Sequence, residues 1–183
     1  MDQLRRCSWC NLKNPLYVEY HDREWCRPNF GEGYLYEMLI LESFQAGLSW
    51  ECVLNKRDHF RRAFAGFDPE AVAAFDEEKV AALMCDEGII RNRRKILSSI
   101  QNTRIYLQIV KEFGSFGAYL KTYTEDKCLY ETGNTTNALS DAISKDLQKR
   151  GMRFVGSVII YSYLQAIGVI CSHEKACFLY EEG

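Results

Sequence analysis

The stretch Tyr34-Leu-Tyr-Glu-Met-Leu-Ile-Leu-Glu42-Ser-Phe-Gln-Ala-Gly-Leu-Ser-Trp50 decides how this chain is read. Residues 34–46 predict a buried helix that ends near Gly47. At helical spacing Glu42 falls in one stripe with Leu35, Met38, Leu39 and Ala46. A carboxylate on such a stripe is costly to bury unless something pairs with it. Just upstream runs Tyr17-Val-Glu-Tyr20-His21-Asp22-Arg-Glu-Trp25. Four large rings (Tyr17, Tyr20, Trp25, Trp50) and one acid suggest a pocket for a flat, electron-poor ligand. The alternative is a core glutamate bonded to a backbone group, with the rings as ordinary packing. On this stretch alone both readings stay open.

Outward from that helix the chain reads as almost entirely helical. Residues 50–65 predict one amphipathic helix carrying Lys56, Arg57, Arg61 and Arg62. Asp68-Pro69-Glu70 is a helix start, with an N-cap acid and proline in the first turn. Asp76 opens a short helix through Met84, which Gly88 breaks. A long helix follows from about Asn92 to Phe113, with Ile96, Ile100, Ile105 and Ile109 on its apolar side. Residues 115–137 predict a short helix and a polar loop, 138–149 a helix ending at Gly151, and 156–171 a buried helix. There is no internal repeat and no convincing sheet, so the expected class is an all-α orthogonal bundle.

The 183 residues, 47% of them hydrophobic, fit a single domain over 1–183. No apolar run reaches the ~18 residues of a membrane span. The start, Met-Asp-Gln-Leu-Arg-Arg-Cys, lacks the apolar centre of a signal peptide. A soluble cytoplasmic monomer is expected. Eight cysteines in a reducing compartment read as thiols or metal ligands. The net charge of −2 gives no global pull towards nucleic acid, but Arg91, Arg93, Arg94 and Lys95 cluster, as do Lys145, Lys149, Arg150 and Arg153. Local basic patches on a neutral protein bind phosphates, although solvated helix faces look the same.

Two further motifs carry chemistry. His173-x3-Cys177 puts two metal ligands one helical turn apart, and Cys7, Cys10 and His21 lie near the other end. A four-ligand zinc site completed by Cys7 with Cys10, or by Cys7 with His21, would staple segments 1–30 and 157–183 together. Such a closed site is structural. The second motif is Leu83-x4-Gly88-Ile89-Ile90-Arg91-x-Arg93-x-Lys95-Ile96, within about 78–112. Helix, glycine turn and helix make a helix-hairpin-helix unit whose second helix points free N–H groups at a DNA phosphate. Lys149-Arg150-Gly151 adds cations at another corner.

Taken together, Tyr17-x-x-Tyr20-His21-Asp22-x-Glu24-Trp25, Leu41-Glu42-x-x-Gln45-Ala46-Gly47-Leu48-Ser49-Trp50, Gly88-Ile89-Ile90-Arg91 and Lys149-Arg150-Gly151-x-x-Phe154-Val155-Gly156 closely resemble the 3-methyladenine DNA glycosylase I family. The match runs in order over nearly the whole chain. The resemblance implies a member of the helix-hairpin-helix glycosylase superfamily acting on double-stranded DNA. It also implies one structural zinc on Cys7, His21, His173 and Cys177, leaving Cys10 out. By the same resemblance Gly47 and Leu48 would plug the gap left by a flipped nucleotide.

Methylation at N3 makes adenine cationic and a better leaving group. Aromatic faces attract a cationic ring, at ~0.5–2 kcal/mol each. Trp50 and Tyr20 are assigned to stacking, Tyr17 and Trp25 to the walls, and Glu42 to the base edge. No lysine lies in Leu41–Trp50, so water is the expected nucleophile, with free 3-methyladenine and an abasic site as products. The alternatives are a glycosylase of broader alkylated-base range and a zinc-stapled DNA-binding module without catalysis. Two departures from the family pattern stand out: Cys26 where glycine is usual, and Ser172 where an acid commonly precedes His173.

Overall fold

The computed structural model describes residues 4–124 and 127–182; Met1–Gln3, residues 125 and 126 and Gly183, which the 1–183 domain assignment includes, lie outside the described residues. Ten helices appear among them: α1 (Pro15–Arg23), α2 (Glu32–Gln45), α3 (Trp50–Leu54), α4 (Arg57–Ala63), α5 (Pro69–Ala73), α6 (Glu77–Cys85), α7 (Arg93–Phe113), α8 (Phe116–Lys121), α9 (Ala138–Lys149) and α10 (Ser157–Ala166). A 3-10 turn at Ala65–Phe67 sits between α4 and α5. The class is all-α, as its apolar patterning predicts.

α2 is the centre. Nine of its residues are buried, from Leu35 to Phe44, because α3, α7, α8 and α10 all pack on it. Only Glu32 and Gly33 in its first turn are exposed, so most of the helix faces other helices. α7 is amphipathic instead, burying Ile96, Ile100, Ile105 and Ile109. Most starts are capped as their sequences require: Asp68, Asp76, Asn92, Ser115 and Asn137 each accept a first-turn N–H. None of the helices is long and apolar enough to cross a membrane.

Four expectations need correction. The helix expected over 50–65 is two, α3 and α4, parted at Asn55–Lys56. The break turns Arg57 inward, where its guanidinium meets Glu24 and Glu37, each at 2.6 Å. That buried pairing ties α4 to the end of α1 and to α2. The helix expected over 156–171 stops at Ala166, because Gly168 takes a left-handed φ of 77°. A Cβ there would run into the backbone of Arg27 and Pro28. Beyond it, β2 (Ile170–Cys171) pairs in parallel with β1 (Leu129–Tyr130), a two-residue sheet where none was expected. His173 and Cys177 lie on turns rather than on a helix, with the Cys177 N–H donating to the Glu174 carbonyl at 2.7 Å. α1 is an element the apolar pattern does not mark; Asn14-Pro15 starts it.

The two ends of the chain meet. The Phe178 N–H donates to the Arg5 carbonyl at 2.8 Å, and both the N–H and the hydroxyl of Ser8 donate to Glu174. The Cys26 N–H reaches the Gln165 carbonyl at 2.9 Å, which seats the loop after α1 on α10.

Candidate functional site

A cavity of about 390 Å³ opens beside the C-terminal end of α2. α1 supplies Tyr17 and Tyr20, three residues apart on one face, and Trp25 follows just past the helix. The last turn of α2 supplies Glu42 and Gln45, again three apart, and Trp50 opens α3. The far wall comes from Ser162 and Gln165 on α10 and from Ser172, with Asn134 and Thr135 at the rim. All five residues expected in the pocket line it.

The rings hold one another in place. Tyr20 and Trp50 have centroids 5.3 Å apart at 47°, and Trp9 packs edge-on to Trp25 at 4.7 Å and tilted on Tyr17 at 5.1 Å. Burial pushes the Tyr17 phenol up to about 12 and holds Tyr20 well above its ordinary range, so both stay protonated donors.

Glu42 is 2% exposed, and among the described residues its Oε2 has no hydrogen-bond partner. No backbone group bonds this oxygen among the described residues, which argues against a core glutamate held by the backbone. Burial alone holds the carboxyl well above the usual carboxylate range. Gln45 Oε1, Trp50 Nε1 and Ser172 Oγ are also buried without a partner in the described residues. Four unsatisfied polar atoms on one cavity are what a site built for a polar, flat ligand presents.

Behind the rings, Cys7, His21, His173 and Cys177 are all buried, with their ligand atoms within 4.8 Å of one another. Cys7 Sγ lies 3.5 Å from His173 Nδ1, and Cys177 Sγ lies 3.5 Å from His21 Nε2 and 3.6 Å from His173 Nδ1. Zinc bonds of ~2.3 Å to sulphur and ~2.0 Å to nitrogen at tetrahedral angles give S···N edges of about 3.5 Å. The donor set therefore fits a dication. Burial lowers both histidine pKa values, leaving neutral imidazoles suited to ligation. His21 Nδ1 lies 2.8 Å from Asp22 Oδ1, and Arg6 grips that carboxylate through two bonds. This orients Nε2 towards the cluster. Cys10 stands apart, its thiol on the Tyr17 carbonyl.

The residues expected at DNA divide into two groups. Gly47 and Leu48 are exposed between the pocket residues Gln45 and Trp50, with Leu48 42% exposed. Arg91, Arg93 and Lys149 are exposed as well, with Arg91 near Glu87 and Arg93 on Glu77. Arg150 is held by Glu112 and Asp146 at 2.6 and 2.7 Å. Gly88 is needed for space, since a Cβ would collide with the His59 ring. Two expectations fail in their geometry. Ile89 is 2% exposed and belongs to the core. Lys95 is 6% exposed, and its Nζ donates to the Phe44 and Ala46 carbonyls, both at 2.6 Å. It closes the C-terminus of α2 and does not face a phosphate.

The sequence profile of the methyladenine glycosylase family matches residues 9–180. The chain belongs to that family. It is 44% identical over 184 residues to the DNA-3-methyladenine glycosylase 1 of Escherichia coli K12, covering 97% of each chain. A crystal structure of a 3-methyladenine DNA glycosylase I is similar at a TM-score of 0.92 and 39% identity, covering 97% of this chain and 100% of that one. A Staphylococcus aureus structure described as the basis of 3-methyladenine recognition is similar at 0.91 and 31%, covering 98% of each.

For this methyladenine glycosylase family member, both departures have a structural reading. Cys26 has φ of 62°, a left-handed conformation that explains why glycine is the usual residue there. Asp22 supports His21 whatever precedes His173, while Ser172 lines the pocket. The site also contains residues that periodicity misses. Trp9 lies outside any helix, and Ser162 and Gln165 look like ordinary helix residues. Gln45, three residues after Glu42, was the one signal available.

Proposed function

We propose that this protein is a DNA repair glycosylase that hydrolyses the N-glycosidic bond of 3-methyladenine in alkylated duplex DNA. Free 3-methyladenine and an abasic site are the products. The reading is carried by the buried, unpartnered Glu42 Oε2 inside an aromatic cavity. Family membership supports the substrate.

The flipped nucleotide seats its base among Tyr20, Trp50, Tyr17 and Trp25. Their π faces favour a cationic ring over neutral adenine. Glu42 accepts hydrogen bonds from the base edge. Burial disfavours its charge when the cavity holds no cation, and a bound cation reverses that preference. The carboxylate thereby selects the methylated base. As the bond to the sugar breaks, positive charge moves from base to sugar, and the positioned carboxylate steadies it. Among the described residues the pocket lining contains no lysine, and its second acid, Glu174, is committed to Ser8. Water is therefore the nucleophile, and no imine forms with the sugar. Leu48 fills the gap left in the duplex, and Arg91, Arg93 and Lys149 meet phosphates.

Cys7, His21, His173 and Cys177 hold one zinc ion. Bound there, the ion supplies a structural cross-link between the chain ends and takes no part in the reaction. The reading takes the protein as a monomer. The eight free cysteines suit the cytoplasm.

The test is release of 3-methyladenine from methylated duplex DNA by wild type and by Glu42→Gln. Release by wild type and at least a ~100-fold loss in a folded mutant are expected. A folded, zinc-loaded wild type that releases nothing would leave only a DNA-binding module. A borohydride-trapped imine would contradict the water step.

A further inference from the structure

Glu42, Tyr20 and Trp50 are buried, and of the residues lining the cavity only Gly133, Asn134 and Thr135 are exposed. These three stand where the cavity meets solvent, on the loop between β1 and α9. The loop is pinned. At its start the Glu131 N–H donates to the Cys171 carbonyl at 3.0 Å, and at its end Asn137 caps α9 in a reciprocal box with Ser140. The Glu131 carboxylate then accepts from the Asn137 amide at 3.0 Å, the Tyr161 hydroxyl at 3.1 Å and the Asn134 amide at 3.3 Å. Gly133 makes the turn with a left-handed φ of 82°. Among the described residues the Thr135 hydroxyl and the N–H groups of Gly133, Asn134 and Thr135 have no partner in the protein. The cavity lining there holds no lysine or arginine, so the donors at its rim are neutral.

We propose that Asn134 and Thr135 bind the sugar–phosphate of the flipped nucleotide, and that Glu131 is the residue that positions them. The inference rests on the glycosylase reading above. A base seated against Glu42 fills the buried end of the cavity, which leaves its sugar and phosphate at the exposed end. Sugar and phosphate oxygens are acceptors, and hydroxyls, side-chain amides and backbone N–H groups are common donors to them. Glu131 spends its carboxylate on three donors, and in doing so fixes the Asn134 amide beside Thr135. Neutral donors hold a strand without releasing counterions, unlike the cations on the outer surface. The cavity therefore divides its work. The aromatic end recognises the base, free or attached, and the rim recognises only a base that is still part of a strand.

The experiment runs two assays on the full chain: release of 3-methyladenine from methylated duplex DNA, and quenching of Trp fluorescence by free 3-methyladenine. Wild type is compared with the double variant Asn134→Ala, Thr135→Val and with Glu131→Gln. The double variant should raise KM for DNA about tenfold while its affinity for the free base and the salt dependence of its KM stay those of wild type. Glu131→Gln, which keeps the shape of the side chain and loses its charge, should raise the same KM about threefold and leave free-base affinity alone. A wild-type KM in the double variant overturns this inference alone. An equal loss of free-base affinity also overturns it, because the loop would then belong to the base pocket. A wild-type KM in Glu131→Gln removes the positioning role. A wild type that takes up the free base but releases none from DNA overturns the glycosylase reading and this inference together.

Discussion

Glu42 sets a conflict between stability and activity that can be read with pH. Its folded pKa lies well above the ordinary carboxylate value of 4.5 because it is desolvated. A group with a raised folded pKa contributes stability below its unfolded pKa and loses it as pH rises towards the folded value. Glu42→Gln, which never ionises, should therefore melt higher than wild type at about pH 8, by on the order of 1 kcal/mol, and match it at about pH 4. Thermal unfolding of both proteins across that range measures it. An equal difference at every pH would mean that the carboxyl titrates normally in the fold. The same substitution is the one expected to abolish base release, so the site trades stability for function.

At the scale of elements, Lys95 separates charge that binds DNA from charge that builds the site. Its Nζ sits on the Phe44 and Ala46 carbonyls at the end of α2, the turn that presents Gln45. Lys95→Ala should cost about 2–3 kcal/mol of stability, because two buried carbonyls lose a charged donor. It should leave the salt dependence of DNA binding unchanged, whereas Arg91→Ala should lower the log–log slope by about 1. A slope change of similar size for Lys95→Ala would restore it as a phosphate contact. This residue also shows where sequence patterns stop being informative. Periodicity locates α2, α7 and α9 well, because long apolar stripes permit one burial pattern. It cannot tell which member of Arg91, Arg93, Arg94 and Lys95 turns inward, since that depends on the carbonyls α2 brings nearby. Spacing likewise marks His173 and Cys177 as a pair but assigns them a helix, whereas a turn brings them equally close. Trp9 gives no pattern at all; only the closure of the N-terminal segment over Trp25 makes it a wall.

For the whole molecule, that closure is where metal and pocket meet. Cys7 and His173 are 166 residues apart in sequence, and the four-ligand cluster joins the two end segments alongside the Ser8–Glu174 pair and the Phe178–Arg5 backbone bond. Burial pushes the Cys7 thiol up to about 12, so a dication binding there displaces a proton and gains affinity as pH rises. Cross-linking such distant positions restricts the unfolded chain, and the bound ion adds stability by mass action, about 4 kcal/mol at a thousandfold excess over its Kd. Removing zinc with a strong chelator should therefore lower the melting temperature and expose the first and last segments to protease before α2 or α7. Because His21 contacts Trp9 and Trp25, the loosened segment should also weaken uptake of free 3-methyladenine, read as Trp fluorescence quenching. Cys177→Ser should reproduce both losses, and adding zinc back should rescue the chelated wild type but not the mutant. If chelated protein keeps its melting temperature, its protease resistance and its base affinity, the four residues are ordinary packing. The chain ends would then be held by Ser8–Glu174 and the backbone contacts alone.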